Sequence, residues 1–119
     1  YEAQARAEAG RDGRVRYDDG KIDLSLTPPK EMGGSGAGTN PEQLFAAGYA
    51  ACFHSAMLFV AKGLKADTAG SSVEGHVAIG PNEAGAGFAL AVRHVVDLPN
   101  IAQADAEELV AEAHKVCPY

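Results

Sequence analysis

Cysteine is scarce in this chain, and its scarcity narrows the possibilities at once. The 119 residues hold two cysteines, Cys52 and Cys117, far apart and without a CxxC pair. That does not fit a disulfide-stapled secreted scaffold, and a cytoplasmic protein with a working thiol pair fits better. Basic residues are also few: 10 Lys and Arg stand against 16 Asp and Glu, for a net charge of −6. Nucleic acid or an anionic membrane surface as the main partner would need basic patches that this balance does not provide. No apolar run reads as long enough to span a membrane, so no membrane insertion is expected, and the first residues do not read as a signal peptide. His54, His76, His94 and His114 lack metal-ligand spacing, so no metal site is expected. The glycine-rich run Gly33 to Gly38 precedes a helix but lacks the Gly-Lys-Ser/Thr ending of a phosphate loop. No bound cofactor is expected.

What remains is one globular domain over 1–119 with ordinary apolar content. Residues 1 to 26 read as strands broken by the turns Gly10-Arg11-Asp12-Gly13 and Asp18-Asp19-Gly20. Thr27 to Thr39 reads as a loop. Asn40 is a good N-cap, Pro41 suits the first helical position, and Gln43 completes a capping box. The helix that follows, to about Lys62, is apolar nearly all round and lined with alanine, which predicts burial on most sides. Val73, Val77 and Ile79 predict a strand, and Phe88, Leu90, Val92, Val96 and Leu98 mark one face of another, with Pro81 to Gly87 as the hairpin loop. Asn100 with Gln103 predicts the cap of a last amphipathic helix, whose apolar stripe runs through Ala106, Leu109, Val110 and Ala113 to Val116 and Cys117. Pro118 ends it. The order βββ-α-ββ-α predicts an α+β fold: an antiparallel sheet, a long buried central helix and a C-terminal amphipathic helix.

By spacing alone, thiols on apolar helix faces are ordinary packing residues, because a dry setting raises the thiol pKa. If the two faces meet, the pair can act as an attacking and a resolving cysteine. The surrounding residues say more. Gly38-Thr39-Asn40-Pro41-Glu42-Gln43-Leu44-Phe45-Ala46-Ala47-Gly48-Tyr49-Ala50-Ala51-Cys52-Phe53 resembles the signature of the organic hydroperoxide resistance proteins, a branch of the osmotically-induced-protein family of thiol peroxidases. His114-Lys115-Val116-Cys117-Pro118-Tyr119 resembles its second motif, and the turn at Gly10 to Gly13 and the loop Met32 to Gly36 are similar too.

The resemblance implies a peroxidase that reduces organic hydroperoxides. It implies that Cys52 attacks the peroxide, that Cys117 resolves the sulfenic acid as a disulfide, and that Arg11 and Glu42 complete the site. It also implies an intertwined homodimer with active sites at the subunit interface, re-reduced by a dihydrolipoyl group on a lipoylated protein. Members of the family continue past the matching Cys-Pro-Tyr by about one strand, whereas this chain ends at Tyr119; either the tail is missing from this sequence or the protein has lost the strand, and true loss would expose a sheet edge.

Residue chemistry agrees with such roles. Peroxide reduction needs a thiolate, so a cation beside a buried sulfur is required, and arginine stays charged while offering several donors. That cation needs a counter-charge, which Glu42 could supply, although Glu42 in the first helical turn is equally explained by the helix dipole. Arg14 and Arg16 compete with Arg11 by position. Because Glu42 and Cys52 lie ten residues apart, about 15 Å on one straight helix, a break near Gly48 is predicted. Two alternatives are the sister branch of the same family, with another substrate range, and a non-enzymatic binder of lipid-like ligands.

Overall fold

The computed structural model describes residues 1–119, which form two compact units, residues 1–44 and residues 45–119. In the first unit three short strands, β1 (Ala5–Glu8), β2 (Arg14–Tyr17) and β3 (Asp23–Ser25), make an antiparallel sheet in that order. The register sets Arg6 opposite Arg16, Arg16 opposite Asp23 and Glu8 opposite Arg14, so one face is a ladder of charge. Arg16 reaches Glu8 at 3.0 Å and Arg14 reaches Asp23 at 2.6 Å. A single 3-10 turn, Gly10–Asp12, joins β1 to β2 and presents Arg11. The turn is entered through Ala9 at φ 59°, a left-handed conformation that costs a residue with a Cβ about 1 kcal/mol. The loop from Thr27 returns to the sheet through a bridge between Leu26 and Thr39.

Helix α1 (Pro41–Leu64) begins as its sequence predicts. The Asn40 side chain accepts from the Gln43 amide at 2.9 Å, and the Gln43 side chain accepts from the Asn40 amide at 3.3 Å. This reciprocal cap satisfies two donors that would otherwise lack partners. The helix runs without interruption through Gly48, so the predicted break is absent. It is also long and apolar enough to cross a membrane by length and composition, contrary to the reading of the sequence. The reason is that Glu42 and Lys62, its only charged residues, sit near the two ends.

In the second unit, β4 (Ser72–Pro81) and β5 (Phe88–Asp97) form a long hairpin joined at residues 82–87, and α2 (Gln103–Val116) follows. The core gathers Phe53, Ala56, Met57 and Ala61 from α1, Leu98 after β5, and Leu109 and Ala113 from α2. Met57, Leu109 and Ala113 are wholly or almost wholly buried. Gly75 lets β4 lie close on the helix, since a Cβ there would stand 2.9 Å from the Ala46 carbonyl oxygen. The alanine-lined surface of α1 is thus used for close backbone approach.

The α+β class is as predicted, with four differences inside it besides the missing break in α1. The strands form two sheets, of three and two strands, rather than one. Helix α1 is buried along one stripe and not on most sides: Phe59 and Leu64 are exposed on its other faces. Asn100 does not cap α2, whose N-cap is Ala102 with no side-chain bond. Asn100 instead donates to Asp67 and to the Ala69 carbonyl, both at 3.3 Å, tying the connector after α1 to the turn before α2. Membrane-spanning length is the fourth.

Candidate active site

Cys52 sits on α1, one position before the core residue Phe53, and Cys117 follows directly on α2. The apolar stripe of α2 carries its C-terminal end onto the core, and the Cys117 amide still bonds the Ala113 carbonyl at 2.9 Å. At Cys117 the backbone turns extended, as the residue before a proline must. The outcome is that two free thiols 65 positions apart stand with sulfurs 3.4 Å from each other. Both are partly buried. Partial burial pushes the Cys52 thiol above its ordinary pKa, and the Cys117 thiol adds to the rise, while the Tyr119 main-chain amide pulls the other way. In this arrangement Cys52 is held as a thiol and needs help to ionise.

Within the first unit, Arg11 meets Glu42. Its two terminal nitrogens donate to the two carboxylate oxygens at 2.9 and 2.8 Å, a bidentate pair joining the β1–β2 turn to the first turn of α1. The Glu42 side chain is largely buried and the Arg11 side chain less so, at 14% and 41% exposure. The hydrogen bonds from Arg11 hold the Glu42 carboxyl below the usual carboxylate range, and Glu42 holds the guanidinium firmly charged. Arg14 and Arg16 are committed to Asp23 and Glu8 on the charged face of the sheet. Among the three competing arginines, Arg11 alone is paired with Glu42.

The histidines take other duties. His54 bonds the Ser71 hydroxyl at 2.9 Å, and His76 pairs with Glu74 at 2.6 Å. His94 stands edge-on to Tyr49 at 4.4 Å and tilted on Phe53 at 5.0 Å. Neither of its buried ring nitrogens has a hydrogen-bond partner. Burial pushes its pKa down. A cleft of about 670 Å³ opens between β5 and α2, with Phe53, Val96, Leu98, Ile101, Ala106 and Val110 among its walls. Neither cysteine lines it, so the thiol chemistry and not the cavity volume marks the candidate site.

Residue types alone did not mark an aromatic group beside the thiols. Phe45 and Tyr49 stack at 5.7 Å, and Tyr119 meets both edge-on. The signal lies in spacing, since Phe45, Gly48, Tyr49 and Cys52 occupy i, i+3, i+4 and i+7 and therefore share one helix face.

The OsmC-like protein family model matches residues 33–119. An organic hydroperoxide resistance protein of Xanthomonas axonopodis pv. citri is 46% identical over 121 residues, covering all of this chain and 84% of that protein. The solved structure of an organic hydroperoxide resistance protein of Legionella pneumophila superposes with a TM-score of 0.92 at 45% identity, over 100% of this chain and 86% of that one. The structure of the organic hydroperoxide resistance protein OhrB of Bacillus subtilis gives 0.88 at 41% identity, over 100% and 87%. On these matches, of which the relatives and solved structures cover the whole chain, the chain belongs to the OsmC-like protein family and, within it, to the organic hydroperoxide resistance branch.

Proposed function

We propose that this protein protects against organic hydroperoxides by reducing them to alcohols with Cys52. The names of its relatives support the peroxide-resistance role. The observation that carries the finer reading is the approach of two free thiols to 3.4 Å. In the first step the Cys52 thiolate attacks a peroxide oxygen. A sulfur–oxygen bond forms, the O–O bond breaks, and the alkoxide leaves as the alcohol after taking a proton. Cys52 is then a sulfenic acid. In the second step the Cys117 sulfur attacks the Cys52 sulfur, the S–O bond breaks, and water leaves with the Cys117 proton. An external dithiol of the dihydrolipoyl class, carried on a lipoylated protein, re-reduces the disulfide by two thiol–disulfide exchanges and is itself oxidised.

Arg11 supplies the positive charge that Cys52 needs in order to ionise, and Glu42 fixes the guanidinium in position. The apolar side chains on the helix face of Cys52, among them Phe45 and Tyr49, accept the alkyl or aryl part of the substrate. The active unit is a homodimer, a reading supported by the large apolar side chains that a single chain leaves in water, among them Phe59, Phe88 and Leu90. A reducing cytoplasm suits a disulfide that forms only in turnover.

The test is a thiol count on the reduced protein after one equivalent of tert-butyl or cumene hydroperoxide. Loss of both thiols in wild type, and retention of the one remaining thiol, Cys117, in Cys52→Ser, is the expected result. A protein that merely binds lipid-like ligands would keep two free thiols. Faster turnover of cumene hydroperoxide than of hydrogen peroxide separates this branch from its sister.

A further inference from the structure

Two residues beyond Cys117, the Tyr119 side chain rests against α1. The Tyr119 ring meets Phe45 at 6.1 Å and Tyr49 at 5.5 Å, edge-on to both. Between those two rings the helix has no side chain, because position 48 is glycine. A Cβ built at Gly48 would lie 3.8 Å from the Tyr119 hydroxyl and 3.9 Å from its Cε2 atom. The ring thus sits over a notch on the helix face that also carries Cys52.

We infer that Tyr119 is a positioning residue: seated on Gly48 between Phe45 and Tyr49, it pins the segment that carries Cys117 so that the resolving sulfur stays within reach of Cys52. The inference rests on the peroxidase reading above. Once Cys52 is a sulfenic acid, two reactions compete for it. The Cys117 sulfur can displace hydroxide to give the disulfide and water, or a second hydroperoxide can transfer an oxygen, leaving a sulfinic acid and an alcohol. The first is intramolecular, and its rate depends on how closely the partner is held. Tyr119 therefore sets the partition between resolution and over-oxidation, and does not act in the peroxide step.

The experiment uses the full chain with rising cumene hydroperoxide and reads products by intact mass: loss of two hydrogens for the disulfide, gain of two oxygens for the sulfinic acid. Tyr119→Ala is expected to raise the sulfinic-to-disulfide ratio on the order of tenfold, with the rate of first peroxide consumption within about twofold of wild type. Tyr119→Phe should partition as wild type, because the ring contacts need no hydroxyl. Gly48→Leu should mimic Tyr119→Ala by filling the notch, while Gly48→Ala, whose added carbon makes ordinary contact, should not. Wild-type partition in both Tyr119→Ala and Gly48→Leu overturns the inference while leaving the peroxidase reading intact. A wild-type protein that keeps both thiols free under peroxide overturns that reading, and this inference with it.

Discussion

A guanidinium that already grips a carboxylate through two nitrogens has a fixed direction, and Arg11 is in that position. On the proposed mechanism, Arg11→Ala should shift the alkaline-going rise of the peroxide step to higher pH, because Cys52 starts from a raised pKa and would lose the cation proposed to favour its thiolate. A pH–rate profile checks this; Arg14→Ala, which breaks only the surface pair with Asp23, should leave it unmoved. The sign for Glu42 runs the other way. Its depressed pKa contributes stability above the ordinary glutamate range that is lost as pH falls through the folded value, and Arg11→Ala removes that contribution. His94 gives a second pH signature. Its folded pKa is depressed, so as pH falls through the ordinary histidine range the unfolded chain takes a proton that the folded one refuses. Urea midpoints should therefore decline from neutral pH into that range and level off once folded His94 is protonated, and His94→Phe should flatten the decline.

At the scale of elements, the capping box of α1 was fully legible, since Asn40, Pro41 and Gln43 are local signals acting on neighbouring amides. Asn40→Ala should cost about 1 kcal/mol, read from the denaturant midpoint at unchanged m-value. The same pattern misled at Asn100, because a side chain is free to choose a tertiary partner over a local amide, and Asp67 and the Ala69 carbonyl won. Gly48 misled for a related reason. Its poor helix propensity made it the place for a break meant to bring Glu42 toward Cys52, but propensity is worth only about 1 kcal/mol and packing outweighs it. Tyr119 lies over that position in an unbroken helix. Both cysteine motifs and the charged turn were readable from residues in sequence; the meeting of Arg11 with Glu42, 31 positions away, and the aromatic group around Gly48 needed the fold.

For the whole molecule, the exposed apolar side chains of α1 and of the hairpin are the feature that a lone chain does not explain. Phe59 is 70% exposed and Phe88 is 72% exposed. The proposed homodimer predicts a sedimentation coefficient for two chains, and Phe59→Glu or Phe88→Glu should shift the equilibrium toward monomer. A wild-type monomer with full peroxidase activity would refute the dimer reading.

The two sulfurs at 3.4 Å belong to residues 65 positions apart, so more than half of the polypeptide lies between them. Linking them ties that stretch into a ring, which the unfolded chain feels far more than the folded one. By loop-closure entropy the tether is worth about 4 kcal/mol to the oxidised form. Each cycle of the proposed reaction would then tighten and release the molecule, leaving it at its least robust when armed with free thiols and at its sturdiest when spent. Melting curves taken in dithiol and after one equivalent of hydroperoxide should differ on the order of ten degrees, the oxidised sample melting later. A cell short of reductant would accumulate the form that survives longest, holding the protein in reserve until dithiol returns.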